Sequence, residues 1–148
     1  MAQSRRETDQ LKDEMSSLAE RVWNDGDVDA IDDRFAHDFV RHTPESLPDI
    51  HGPEAYKERV RELRSAFPDF EIDIERTVAD DELLLTHLTI SGTHDGEFMG
   101  IEPTGESIDV PVMSLMRLED DRVAEEWLLS DSMEMMVQLG VAAYPDEV

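Results

Sequence analysis

The chain has 148 residues, enough for one domain that buries a sizeable core around a cavity, and its 37 acidic against 13 basic side chains give a formal charge of −24. Such a charge repels nucleic acid and anionic membranes, and the absence of cysteine excludes disulfides and thiolate chemistry. The acid is spread from Glu7 to Glu147 while Lys is limited to Lys12 and Lys57; about 1 M salt, with a Debye length of roughly 3 Å, would screen that self-repulsion, which points to a halophilic cytoplasm in preference to an acid-rich mesophilic one.

In chain order, Leu11, Met15, Leu18, Ala19, Val22 and Trp23 recur at helical spacing and predict a helix ending near Gly26. Asp27 is placed to cap a second, short helix that turns Val28, Ile31 and Phe35 inward and stops before Phe39. Phe39 to His42 reads as extended, and Thr43 to His51, with Pro44 and Pro48, as a polar loop. Gly52 and Pro53 open a third helix whose stripe is Tyr56, Val60, Leu63 and Phe67, and Pro68 ends it.

From Phe70 the period becomes two: Phe70, Ile72 and Ile74 face one way, Glu71, Asp73 and Glu75 the other. Asp80 to Glu82 makes a turn, Leu83 to Thr93 a long strand, Gly96 to Gly105 a returning loop and Ser107 to Leu118 another strand. Glu119, Asp120 and Asp121 form a tight turn into a strand over Arg122 to Ser130, and a last helix over Met133 to Leu139 stops at Gly140. Helices, then about four strands on short connections, then a closing helix predict a single α+β domain over residues 1–148 with an antiparallel sheet. MAQSRRETDQ has no apolar leader core and no stretch approaches the ~20 apolar residues of a membrane span, so a cytoplasmic protein is expected.

The segments FVRHTP (39–44), HGPEAYKERVRELRSAFPDFEIDIE (51–75), SGTHDGEFMGIEPTGESIDV (91–110), MRLEDDRVAEEWLLSD (116–131) and QLG (138–140) resemble the SnoaL-like polyketide cyclase (ester cyclase) family of the nuclear transport factor 2-like superfamily. The resemblance covers roughly residues 7–140, and its specificity lies in the order and spacing of GTH, PTG, E-x-W-x-x-x-D and QLG. It implies a cone made by a strongly curved antiparallel sheet packed against N-terminal helices, the architecture also called cystatin-like. It also implies dimers or tetramers joined through sheet faces, and ring closure of a polyketide ester by intramolecular aldol condensation, with no metal or organic cofactor. The family's general base, an aspartate, matches Asp131 here.

Aldol closure needs a base for an acidified C–H, donors for the developing enolate oxygen and an acid for the new alkoxide. Asp131 shares strand parity with Trp127 and Leu129 and precedes Met133, Met135 and Met136, which would supply an apolar wall that raises its basicity. The alternative is that Asp131 caps the last helix, which would lower it. His42 and His94 are candidate pocket-lining donors or acids, or else partners of loop carbonyls. His87 lies in the long strand with parity opposite to His94, so an unbroken strand lets only one of them line the pocket. Trp127, His87, Met113, Tyr56 and Trp23 are candidate ligand contacts, though aromatic and Met side chains more often fill core.

His42, His87, His94 and Asp131 lack any metal-ligand spacing, and the glycines of GEFMG and PTG are turn formers without a phosphate-binding pattern. Neither a metal nor an organic cofactor is expected. Three functions follow: an enzyme acting on a small apolar or carbonyl-containing compound by aldol-type cyclisation or related isomerase or lyase chemistry, a binding protein for a hydrophobic metabolite, or a structural protein whose cone is filled by side chains.

Overall fold

The computed structural model describes residues 2–43 and 48–145; Pro44, expected in the loop and in the first family-like segment, lies outside them. Helix α1 (Ala2–Trp23) is followed by a 3-10 helix (Val28–Asp33), strands β1 (Phe35–His42) and β2 (Ile50–His51), and helix α2 (Gly52–Ala66). Strands β3 (Glu71–Asp80), β4 (Leu83–Thr93), β5 (Ser107–Glu119) and β6 (Arg122–Ser130) and helix α3 (Ser132–Gln138) complete the domain.

The six strands form one sheet in the order β2-β1-β6-β5-β4-β3. From β3 to β6 the strands are antiparallel neighbours, with tight turns joining β3 to β4 and β5 to β6 and the longer loop 94–106 joining β4 to β5. Asp120 and Asp121 both adopt positive φ (51° and 64°) between the paired Glu119 and Arg122, a primed two-residue turn that Asp tolerates better than most residues. The all-antiparallel expectation is corrected at the other edge, where β1 lies parallel to β6. The intervening elements carry the chain back across the domain, which a hairpin connection does not do.

Two local predictions also change. Phe35 opens β1 and does not belong to the short helix; it shares strand parity with Phe39 and Arg41, and all three are buried. Asp27 makes no side-chain cap; its carboxylate takes the Arg21 guanidinium at 2.8 Å.

Irregularities at Glu75 in β3 and Ala124 in β6, where the register shifts between Ile74 and Arg76 and between Arg117 and Leu118, bend the sheet and reverse the facing pattern beyond them. The concave side faces α1, α2 and α3, and the core packed there includes Trp23, Phe35, Phe39, Tyr56, Val60 and Leu84.

The end of α2 is riveted to the end of β4. Asp69 accepts the Thr93 N–H at 2.7 Å and its hydroxyl at 2.8 Å, which holds the Asp69 carboxyl below its ordinary pKa. The Asp95 and Gly96 N–H groups both donate to the Ala66 carbonyl at 3.0 Å. A Cβ on Gly96 would lie 2.4 Å from the Ser65 carbonyl oxygen. Gly96→Ala should therefore lower the urea midpoint by an amount corresponding to about 1–3 kcal/mol; an unchanged midpoint would show that the loop yields freely.

Candidate active site

The strand alternation aims one set of side chains at the helices: even-numbered residues of β4 from Leu84 to Ile90, of β5 from Val112 to Met116, and of β6 from Glu126 to Ser130. With α1, α2 and α3 they enclose a cavity of about 420 Å³, the size of a drug-like ligand site. Its wall is mainly aliphatic and thioether, with Met15 from α1 and Met135 and Met136 from α3.

Part of the cavity lining is polar and buried. Arg41 is opposite Glu126 in the parallel β1–β6 register, and both are buried, 6 % and 1 % exposed. Arg41 Nε donates to Glu126 Oε1 at 2.6 Å, and the Ser114 hydroxyl donates to Glu126 Oε2 at 2.6 Å. Arg41 Nη2 and Trp23 Nε1 donate to the Tyr56 hydroxyl oxygen at 3.3 and 3.2 Å. The guanidinium also sits 4.7 Å from the centroid of the Tyr56 ring. Burial works against the Arg41 charge, but Glu126 outweighs it and the pKa of Arg41 rises. Burial pushes Tyr56 up to about 12, with Glu126 adding to the shift and Arg41 opposing it, so its hydroxyl stays a neutral donor.

Of the residues singled out from the sequence, Trp23 and Tyr56 line the cavity. Asp131 is solvent-exposed and caps α3, its Oδ1 accepting the Glu134 N–H at 3.0 Å, between Ser130 and Ser132, which do line the cavity. The expected apolar wall around it is not formed by Trp127 and Leu129, which share its parity but lie on the outer sheet face.

Met113 and His87 are paired across β5 and β4 on that same outer face, so neither contacts the cavity. His94 has inward parity, but it follows the end of β4 and is wholly buried behind the cavity wall, tilted against Phe67 with ring centroids 5.4 Å apart. Its Nδ1 accepts the Thr104 N–H at 3.2 Å, which leaves the proton on a buried Nε2 without an acceptor among the described residues.

His42 faces outward opposite Trp127, stacked on it at 5.4 Å, and bridges Glu125 at 2.5 Å and Asp49 at 3.1 Å. Arg41, Ser114 and Glu126 are the polar groups that the sequence did not single out. Glu126 stands inside the E-x-W motif, and the only sign of its burial is that it shares parity with Leu128 and Ser130.

Among the described residues no three His, Asp or Glu side chains converge as a metal site, and no helix is long and apolar enough to cross a membrane.

The sequence model of SnoaL-like polyketide cyclases matches residues 13–139. The chain belongs to the SnoaL-like polyketide cyclase family. Several solved structures share the fold of this SnoaL-like chain. IdmH from Streptomyces antibioticus, described as a candidate polyketide cyclase, is 29 % identical with a TM-score of 0.74, covering 89 % of this chain and 99 % of its own. A candidate polyketide cyclase from Acidithiobacillus ferrooxidans is 27 % identical with a TM-score of 0.77, covering 90 % and 96 %. TsrD from Streptomyces laurentii, at 20 % identity, shares the fold with a TM-score of 0.81 over 90 % of this chain and 97 % of its own. A protein from Catenulispora acidiphila with a ketosteroid isomerase-like fold superposes at 0.74 with 13 % identity, over 89 % and 98 %. No curated protein matches the chain.

The hydrogen bond to Glu125 raises the His42 pKa, against some desolvation and with help from Asp49; the same bond is the main cause that lowers Glu125. The His42 contribution is complete below the unfolded pKa of about 6.5 and is lost as pH rises through the raised folded value. The Glu125 contribution is lost as pH falls through its lowered one. Both side chains are about a third exposed, so the pair contributes under about 1 kcal/mol. His42→Gln should lower the melting temperature more near about pH 6 than near about pH 9. The opposite trend would mean that the imidazole is held neutral.

Proposed function

We propose that this SnoaL-like chain is a cofactor-independent enzyme that acts on a small, largely apolar carbonyl compound by proton abstraction from carbon, with aldol-type cyclisation or related isomerase or lyase chemistry as the reaction. The observation that carries the reading is the cavity itself. The cone is not filled by its own side chains: about 420 Å³ of mainly apolar space has one buried polar cluster in its lining. A filled cone, as in a purely structural protein, would leave no such space.

Asp131 is the base in this reading, from its match to the family's aspartate and its place between two rim residues. Glu126, the carboxylate inside the cavity, has one oxygen taken by Arg41 and the other by Ser114, so neither is free to face a substrate. For Asp131 to reach a substrate its side chain must release the Glu134 N–H, which costs about 1 kcal/mol.

Asn caps a helix as well as Asp does, so Asp131→Asn removes the basicity and keeps the fold. With aryl β-keto esters as probes, the native chain should catalyse deuterium exchange at the acidic carbon, and Asp131→Asn should be slower by about 10²–10⁴-fold with little change in ester affinity. Equal rates in the two proteins would end the assignment.

A second reading, a binding protein that returns its metabolite unchanged, is favoured by the exposure and capping of Asp131. It is separated from catalysis by recovering the compound retained from a cell extract and comparing it with the compound supplied.

The outer sheet face fits a homodimer or homotetramer contact, because Leu129, Met113 and Trp127 stand there 63 %, 45 % and 40 % exposed in neighbouring paired positions. The charge of −24 would oppose such association in dilute buffer, and a concentrated-salt cytoplasm would permit it. Sedimentation at about 2 M KCl should show an oligomer that Leu129→Lys converts to a monomer; a native monomer at that salt would remove this contact.

A further inference from the structure

The hydrogen-bond inventory of the buried cluster does not close. The Tyr56 hydroxyl accepts from Trp23 and from Arg41, so both bonds use its oxygen and neither uses its proton. Arg41 directs Nε to Glu126 and Nη2 to Tyr56, and its Nη1 donates to nothing among the described residues. The acceptors are meanwhile occupied: one Glu126 oxygen takes Arg41 and the other takes the Ser114 hydroxyl. Four of these side chains, Arg41, Tyr56, Ser114 and Glu126, line the cavity and are 6 % exposed or less. A buried group leaves a donor idle at a cost, and a cavity offers a way to recover it.

We infer that Tyr56 and Arg41 form a buried donor subsite that takes a carbonyl oxygen of an apolar ligand entering oxygen-first, with Glu126 and Ser114 as positioning residues that hold the guanidinium. The formal charge of Arg41 is already balanced by Glu126, so the subsite is neutral as a unit and fits an uncharged ketone better than a carboxylate.

The position on β6 adds a second feature, which rests on the reading of Asp131 as base. Asp131 is five residues beyond Glu126, about 16 Å along an extended strand. On that spacing we assign to Tyr56 an oxygen other than the enolate oxygen beside the carbon that Asp131 deprotonates. It is a second oxygen function at the far end of an elongated substrate, and the subsite anchors that end.

Fluorenone and fluorene, which share a tricyclic shape and differ by one carbonyl oxygen, are the probes. Calorimetric titration of the native chain should show fluorenone binding about tenfold tighter than fluorene. Tyr56→Phe should remove that preference while leaving fluorene affinity unchanged. The infrared carbonyl stretch of bound fluorenone should lie at lower frequency in the native protein than in Tyr56→Phe, a shift that loss of packing alone does not produce.

Equal affinities for the two probes in the native chain, or binding of neither, overturns the subsite. The comparison within the native protein also covers the case in which Tyr56→Phe does not fold. In the deuterium-exchange assay with an aryl β-keto ester that carries an acetyl group on the far side of its ring, Tyr56→Phe should raise the half-saturating ester concentration about tenfold and hold the saturated rate within about twofold. A saturated rate more than about 10²-fold lower would place the enolate oxygen at Tyr56 and overturn the far-end assignment. Absence of exchange in the native chain ends the catalytic reading and with it the far-end assignment, whereas the donor subsite stands or falls on the fluorenone titration.

Discussion

The ion pair between Arg41 and Glu126 fastens the β1–β6 seam. These two strands are parallel neighbours, and a parallel seam is joined by no turn of its own. The pair sits in that seam, out of water, and its hydrogen bonds reach Ser114 on β5 and Tyr56 on α2, which in turn receives Trp23 of α1. One charged contact thus ties together three strands and two helices around the same point. Desolvating both charges is expensive, and their mutual attraction offsets this with the help of the bonds from Ser114 to Glu126 and from Arg41 to Tyr56; removing either partner alone would leave a buried charge at a cost of about 3–5 kcal/mol.

The same contact divides the molecule into two kinds of surface. Inside, it is a buried polar part of a mainly apolar cavity lining. Outside, one residue further along each strand, His42 stacks on Trp127 and bridges Glu125 and Asp49. A parallel register with Arg41 opposite Glu126 necessarily sets His42 opposite Trp127 with the reverse facing. The inner pair is insulated from salt, and the outer cluster, like most of the acid on this chain, is open to it.

Much of the fold can be read from local pattern. The helical stripes of α1 and α2, the period-two run from Ile72, the acidic turns and the stop at Gly140 all follow from rules that act over a few residues. The family motifs are equally local and account for the cone, and one of their segments, 51–75, holds Tyr56, while Trp23 belongs to the stripe of α1. The parallel β1 edge was not readable, because nothing within Phe35 to His42 specifies the direction of a partner that lies over eighty residues away.

The candidate site shows the limit more sharply. An unbroken β6 starting from buried Val123 would turn Trp127, Leu129 and Asp131 inward, which is what their apolar neighbourhood suggests. The irregularity at Ala124 reverses the alternation, so Glu126, Leu128 and Ser130 face the cavity and the apolar pair faces solvent. Residue type and spacing by themselves determined an acidic α+β chain of this family with the aspartate of its motif at position 131. Which side of β6 meets the cavity, and that a buried arginine, tyrosine, serine and glutamate gather there, was decided only by tertiary structure. The reason is physical: one extra residue in a strand moves every later side chain to the opposite face, and its position is set by pairing with a neighbouring strand.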